Sequence, residues 1–243
     1  MKIAVIIPAL DEVQYITRAV ESAARAPESQ ASRPGPACSV TAGAEARGVE
    51  VVVVDGGSLD GTPERALAAG ARVVRTGPGR ARQLRRGVLE TDAAVVVLLH
   101  ADTRLPPGWD VAVEEALADA DVVGGAFRLR FAEPGRRLRW IEWGVRLRVA
   151  LFGLPYGDQA IFVRRAVLDE VGGVPDVELM EDLDLVQALK TRGRLRLLPL
   201  PVTTSARRYL RAGIARTVAR HQLAVLAWAL GVDRLRIARW VRG

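Results

Sequence analysis

One cysteine, Cys38, is all the chain holds, which excludes an intrachain disulfide framework and a cysteine-based metal site. Lysine is almost missing as well: Lys2 and Lys190 stand alone, so the net charge of +7 rests nearly wholly on arginine. No apolar stretch reaches the roughly 18 residues that a membrane span needs. The N-terminus enters a strand at once, with no basic leader and cleavage site, which argues against secretion. These absences predict a cytoplasmic protein, at most peripheral on the inner face of a membrane. Basic residues interleaved with aromatics on strands, the platform that stacks nucleic acid, are also lacking, so no nucleic-acid partner is expected.

What is present is an ordinary globular balance, 49% hydrophobic and 26% charged, over 243 residues. That length fits one large α/β domain or two small ones. Arginine grips phosphate through paired N–H groups, so nucleotides or lipid headgroups fit the charge, although a general preference for arginine over lysine explains much of the bias.

The most informative stretch is Ala93-Ala94-Val95-Val96-Val97-Leu98-Leu99-His100-Ala101-Asp102-Thr103-Arg104. A valine-rich run closed by polar residues and Pro106-Pro107-Gly108 reads as a strand buried on both faces. In parallel α/β sheets ligands bind just beyond the carboxyl ends of such strands. An aspartate there, with a histidine two residues before it, points to a divalent cation beside a phosphate; the alternative is a polar cap for the next helix.

Around it, Lys2 to Pro8 predicts a strand ending at the proline, and Val13 to Arg25 a helix with Ile16, Val20 and Ala23 on one side. Residues 27–48, rich in Pro, Ser, Ala and Gly, read as a surface insertion. Glu50 to Asp55 predicts a second buried strand, followed by a helix capped by Thr62, with Pro63 at its first position and Gly70 at its end. Ala71 to Arg75 is a short strand. Gly77 to Gln83 is a glycine-rich basic loop leading into a helix, and Pro107 to Ala118 is another helix. Strands and helices alternating in this way predict a doubly wound, mostly parallel sheet.

The second half predicts a bent strand or strand pair from Val122 to Phe131 and a helix from Arg136 to Phe152. Further elements are a strand at 160–163, helices at 165–171 and 181–192, a strand at 194–199, and a long helix from Gly213 to Gly231. With neither repeat nor linker, the chain reads as one domain. A nucleotide-binding half covers about 1–120 and an acceptor-side half about 121–243.

Acidic groups stand at Asp55, Asp102 and Glu181-Asp182, at strand ends or a helix start. Asp55 heads a turn whose glycines admit a base or phosphate, or else closes that turn as an Asx motif. Arg80, Arg82 and Gln83 are placed to steady a diphosphate, unless the run is merely a solvated basic loop. Glu181-Asp182 can also serve simply as dipole-favoured residues of a helix start.

Together these residues resemble family 2 glycosyltransferases, inverting enzymes with a GT-A fold that bind nucleotide-diphosphate sugars. The resemblance rests on Ile6-Ile7-Pro8-Ala9-Leu10-Asp11-Glu12, Val54-Asp55-Gly56-Gly57-Ser58-Leu59-Asp60-Gly61-Thr62, His100-Ala101-Asp102 and Met180-Glu181-Asp182. Gly79 to Gln83, Pro155-Tyr156-Gly157-Asp158-Gln159 and Thr204 to Tyr209 look like a bacterial subgroup of small soluble members. The resemblance implies that Pro8, Leu10 and Glu12 line the nucleotide pocket and that Asp55 contacts the base of a UDP- or GDP-linked sugar. Ala101 and the Arg80, Gln83, Arg207 and Arg208 side chains join the donor site. Asp102 is the last acid of the family's Asp-x-Asp, holding Mg²⁺ or Mn²⁺ on the diphosphate. His100 replaces the first acid, a change that favours Mn²⁺ because imidazole is a poor magnesium ligand. Asp182 matches the catalytic base, with Glu181 beside it. Gly157, Asp158 and Gln159 form the wall meeting the sugar or acceptor, and residues 207–208 belong to a loop that closes over the nucleotide. Gly56 and Asp11 depart from the usual acid and asparagine, which leaves the base open.

An inverting transfer needs these groups: a carboxylate to take the acceptor proton, and a cation with arginines to stabilise the departing diphosphate. The acceptor is a small molecule or lipid-linked. The basic, tryptophan-bearing helix at 136–152 and the arginine-rich tail after Gly231 could lie on an anionic membrane surface, or simply pack on the sheet with their arginines in water. The rivals are a sugar-phosphate nucleotidyltransferase, whose Gly-rich basic N-terminal signature is missing from Pro8 to Glu12, and a glycosyltransferase-like protein that binds nucleotide without turnover.

Overall fold

The structure, a computed structural model, describes residues 1–24 and 48–242. The insertion expected over 27–48 therefore falls outside the described residues except for Gly48. Eight strands form a single sheet: β1 (Lys2–Ala9), β2 (Gly48–Asp55), β3 (Arg72–Arg75), β4 (Val95–Leu98), β5 (Thr103–Arg104), β6 (Val122–Phe131), β7 (Ile161–Arg164) and β8 (Arg194–Thr204). Their order is β3-β2-β1-β4-β7-β6-β8-β5. The first four positions are mutually parallel, β6 pairs parallel with β8, and β7 and β5 run against their neighbours. Strands from both halves of the chain thus share the sheet. The residues after β4 cross to its far edge as β5, which curls the sheet and brings Thr103 against Thr204.

The unbroken valine runs are explained by burial on both faces. Ile3, Val5, Ile7, Val51, Val53, Val95 and Val97 pack into one core layer, and Ala4, Ile6, Val52, Val54, Val96 and Leu98 into the other. The period of two divides one apolar run between two layers. The first layer is covered by α1 (Ile16–Ala24) and α4 (Trp109–Ala116); the second lies under α3 (Arg80–Leu89), α6 (Arg165–Glu170) and α7 (Glu181–Lys190). Helix α1 buries Ile16, Ala19, Val20 and Ala23, the face its spacing predicts.

Several expectations are corrected. Pro8 does not end β1, which runs to Ala9. Pairing with β4 stops at Ile6, and alternation turns the nitrogen of Pro8 to that open side, so its missing N–H removes no ladder bond. Thr62 does not cap α2 (Thr62–Ala68); the cap is Gly61 at φ 86, and the Thr62 hydroxyl instead accepts the Glu12 N–H at 2.8 Å. The 122–131 segment is one bent strand with irregularities after Val122 and Phe127. A Cβ on Gly124 would strike the Phe162 carbonyl, and one on Gly125 the Arg196 carbonyl, so both glycines permit close backbone approach. Strand β8 continues beyond Pro199, its prolines falling at the register shift. The expected loop at residue 207 is a short helix, α8 (Arg207–Ala212), and the tail is a helix, α10 (Arg234–Arg242). Helix α5 (Arg136–Phe152) packs Leu138, Val145 and Val149 beside β6. Helix α9 (Ile214–Ala229) and α10 are tied to α7 through Asp184, which accepts from Trp228 Nε1 at 2.8 Å and from Arg234 Nη2 at 2.7 Å. No helix among the described residues is long and apolar enough to cross a membrane.

Candidate active site

The ends of β1 and β2 lie side by side because the strands are parallel, and their loops are laced together. The Asp11 N–H donates to Ser58 Oγ, the Leu59 N–H to Asp11 Oδ1, and the Val13 N–H to Asp60 Oδ2. Asp55, only 1% exposed, accepts from the Gly57 N–H at 3.1 Å and the Ser58 N–H at 3.2 Å. This is the Asx-turn arrangement: the carboxylate organises the loop that follows β2. Leu10 is 44% exposed at the loop surface, and Pro8 is half-buried.

Two residues expected at the donor turn inward. Gln83 is buried, and its Nε2 donates to the Ala9 carbonyl at 2.7 Å and the Val54 carbonyl at 2.8 Å. Its amide N–H groups are used up in strapping β1 to β2, so Gln83 is a strut rather than a diphosphate ligand. The Ala101 side chain belongs to the core layer with Leu105 and Trp109, so only its backbone is left for a donor.

Beyond β4, Asp102 has a side chain 16% exposed, with Oδ2 lying 3.1 Å from Arg207 Nη2. The same guanidinium pairs with Glu12 Oε1 and sits 4.5 Å above the Tyr15 ring. Burial pushes the Glu12 carboxyl up, while Arg207 pulls it down. Burial works against the Arg207 charge, but Glu12 and Asp102 hold its pKa above the ordinary value. One arginine of α8 therefore ties the β1 loop to the end of β4.

Asp182 opens α7. Its Oδ2 accepts the Gly157 N–H at 2.6 Å and its Oδ1 the Leu183 N–H at 2.9 Å. Gly157 leaves room for the Arg80 guanidinium, since a Cβ there would overlap Arg80 Nη2 and stand 3.0 Å from His100 Nε2. Arg80 Nε lies 2.9 Å from Glu181 Oε1, but neither atom has a hydrogen-bond partner, so the contact is Coulombic rather than an in-line bond. Burial opposes the Arg80 charge, yet Glu181, Asp182, Asp158 and Asp102 together raise its pKa. The fields of Asp102 and Asp182 thus meet at one guanidinium, although 80 residues separate them in sequence. Glu181 is buried and pushed up by that burial, against the pull of Arg80. It holds Arg80 rather than presenting a free carboxylate.

Of the expected wall, Asp158 faces the cleft with Oδ1 buried and unpartnered, and burial raises its pKa. Gln159 does not face it. Its Nε2 donates to the Phe127 carbonyl at 2.9 Å, and its Oε1 accepts from the Tyr156 N–H and Arg148 Nη2. Arg208 lines the cleft beside Asp182. The sequence reading missed Arg148, which stacks 3.3 Å from the Tyr156 ring centroid and donates to the Leu154 carbonyl, because α5 carries so many arginines that none stands out. Equally unforeseen, the positive-φ residues other than glycine among the described residues are Asp11, Ala160 and Met180, each next to the site. Backbone strain of this kind gathers where geometry is functionally constrained.

A cavity of about 1650 Å³ opens from these groups. Arg80, His100, Asp158, Asp182 and Arg208 line it together with side chains of α5 and α9.

No cluster of three or more His, Cys, Asp or Glu that could hold a metal exists among the described residues. Asp102 and His100 are the donors at hand. His100 Nε2 is buried without a partner, and burial, reinforced by Arg80, Arg208 and Arg207, pushes the imidazole well below its ordinary pKa. It is therefore neutral near pH 7 and offers a lone pair. The Asp102 carboxylate fits a cation held by one protein group and completed by phosphate oxygens.

The sequence profile described as Glycosyl transferase family 2 matches residues 4–171. Among curated proteins none matches the chain. Among solved structures, glucosyl-3-phosphoglycerate synthase from Mycobacterium tuberculosis, in complex with Mn²⁺, UDP and glucosyl-3-phosphoglycerate, aligns over 96% of this chain and 81% of its own. The identity is 20% and the TM-score 0.62. The same enzyme with Mg²⁺ and UDP aligns at 19% identity over 96% of this chain and 80% of its own, with TM-score 0.62. TarS 1-349 of S. aureus aligns over 85% of this chain at 15% identity and TM-score 0.61, and this chain spans 61% of that structure. With a profile match across well over half its length and a curled, mostly parallel sheet shared with these structures, the protein belongs to glycosyl transferase family 2 and has the GT-A fold.

Proposed function

We propose that this glycosyltransferase moves a sugar, with inversion, from a UDP- or GDP-linked donor to an acceptor hydroxyl, with Asp182 as the general base. The observation that carries the reading is the grip on Asp182. Two backbone N–H groups fix its carboxylate at the wall of the cavity, where the Arg80 guanidinium is held charged by Asp182 and Asp102 among its acidic neighbours. A carboxylate fixed in this way is oriented to take the acceptor proton as the hydroxyl attacks.

Arg80, Arg207 and Arg208 oppose the negative charge that grows on the departing diphosphate. The laced β1 and β2 loops receive the nucleoside, with the Asp55 turn beside the base. Asp102, assisted by His100, would hold the cation, which when bound supplies Lewis-acid stabilisation of the diphosphate. The solved synthase complexes with Mn²⁺ or Mg²⁺ and UDP support the choice of cofactor and donor class. A second reading, favoured by the unpartnered Oδ1 of Asp158 on the same cavity, gives the proton to that residue.

A thermal-shift panel of nucleoside diphosphates with and without Mn²⁺, combined with transfer assays, tests both readings. Asp182→Asn is expected to keep nucleotide binding and lose transfer, Asp102→Ala to lose the metal-dependent part of the shift, and Asp158→Asn to retain transfer. Transfer surviving in Asp182→Asn removes the assignment of the base.

A further inference from the structure

The cavity is larger than the roughly 300–1,000 Å³ of ordinary small-molecule pockets, and the nucleotide does not account for its volume. Of the donor-side residues Arg80, His100 and Arg208 reach its wall, whereas Glu12, Asp55 and Asp102 do not. Asp182 shares the cavity with side chains of α5 and α9, among them Leu147, Leu151, Val218 and Val225. Leu147 and Leu151 are one helical turn apart and both exposed, Leu151 at 65%. Trp140 joins the same wall and is exposed as well. The groove carries carboxylates at Asp158 and Asp182; its α5 and α9 walls are mostly apolar, interrupted by Arg137, Arg148, Arg216, His221 and Gln222.

We propose that the acceptor is an amphiphile, with a hydroxyl head seated at Asp182 and a long apolar chain lying in the groove between α5 and α9. The proposal rests on the glycosyltransferase reading and adds the acceptor class. Continuity with the Asp182 carboxylate selects the occupant: whatever fills the groove must bring a hydroxyl to that oxygen. Apolar side chains, leucine, valine and tryptophan among them, make up most of these walls, and a hydrocarbon chain removes that surface from water. The exposure of Leu151 lets a chain longer than the groove continue outward.

The test titrates the full chain with butyl, octyl and dodecyl glucosides by isothermal calorimetry, each below the concentration at which it forms micelles. Affinity is expected to rise with chain length, by up to about 4-fold per buried methylene, with an increasingly negative heat-capacity change. Leu151→Glu, at an exposed helical position that tolerates a charge, is expected to abolish the chain-length dependence. Equal affinity for all three glucosides, a dependence that survives in Leu151→Glu, or binding that begins only with micelles overturns the proposal. The last result would assign the face to a membrane surface instead. The thermal shift given by UDP or GDP is recorded on the same protein. Its absence removes the proposed UDP- or GDP-linked donor, whereas its presence without chain-length dependence removes only the amphiphile.

Discussion

Replacing Gln83 by leucine separates a strut from a ligand. The side chain is buried, and its Nε2 makes two bonds, to the Ala9 and Val54 carbonyls, at the point where β1 and β2 release their loops. Leucine has a similar volume, so cavity formation is small and the loss is that of the two hydrogen bonds. The Ala9 carbonyl keeps the Gly56 N–H at 2.9 Å, so it is not left bare. At about 0.5–1.5 kcal/mol net for each bond, the variant should lose about 2 kcal/mol. For a chain of this size that lowers the melting temperature by roughly 4–8 °C. Differential scanning calorimetry without ligand measures it, and a nucleotide titration measures the consequence for the loops. A strut predicts the stability loss in the absence of nucleotide. If Gln83→Leu melts with the wild type and only its nucleotide affinity falls, the amide is a donor ligand and the structural argument is wrong.

Gly157→Ala should displace the Arg80 guanidinium, whose flexible end is what a Cβ would meet, so transfer should fall at least tenfold while the melting temperature changes little. Asp184→Ala removes the acceptor shared by Trp228 and Arg234; a charge-assisted pair this shielded is worth about 1–3 kcal/mol, and proteolysis between α9 and α10 should quicken. Asp158 has its pKa raised, first by burial. An acid whose folded pKa exceeds its unfolded value favours the fold while protonated, and that contribution is lost as pH rises through the folded pKa. Asp158→Asn should therefore raise the melting temperature at pH 7 and not at pH 3, and a gain confined to acid would reverse the sign of the argument.

The legible part of this protein is its sheet and its chemistry-bearing residues. Valine runs closed by proline, glycine or aspartate announce strands buried on both faces, and in a parallel sheet the carboxyl ends of neighbouring strands must share an edge. Asp55 and Asp102 are readable for that reason. The residues misread are those whose role depends on partners far along the chain. Gln83 looks like a loop ligand until two carbonyls from two strands converge on it, and Gln159 like an acceptor contact until the Phe127 carbonyl claims its amide. Thr62 looks like a cap until Glu12 donates to it.

The sequence by itself determined which residues can carry charge, protons and phosphate, because side-chain chemistry and strand periodicity are local properties. Tertiary structure alone decided which of them meet. The curl of the sheet brings β5 to β8 and so carries Arg207 onto Asp102 and Glu12. The fold of α7 against residue 157 aims Asp182, and the gap between α5 and α9 supplies the groove. Contacts of this kind depend on the path of the backbone through space, which no local pattern of residues encodes.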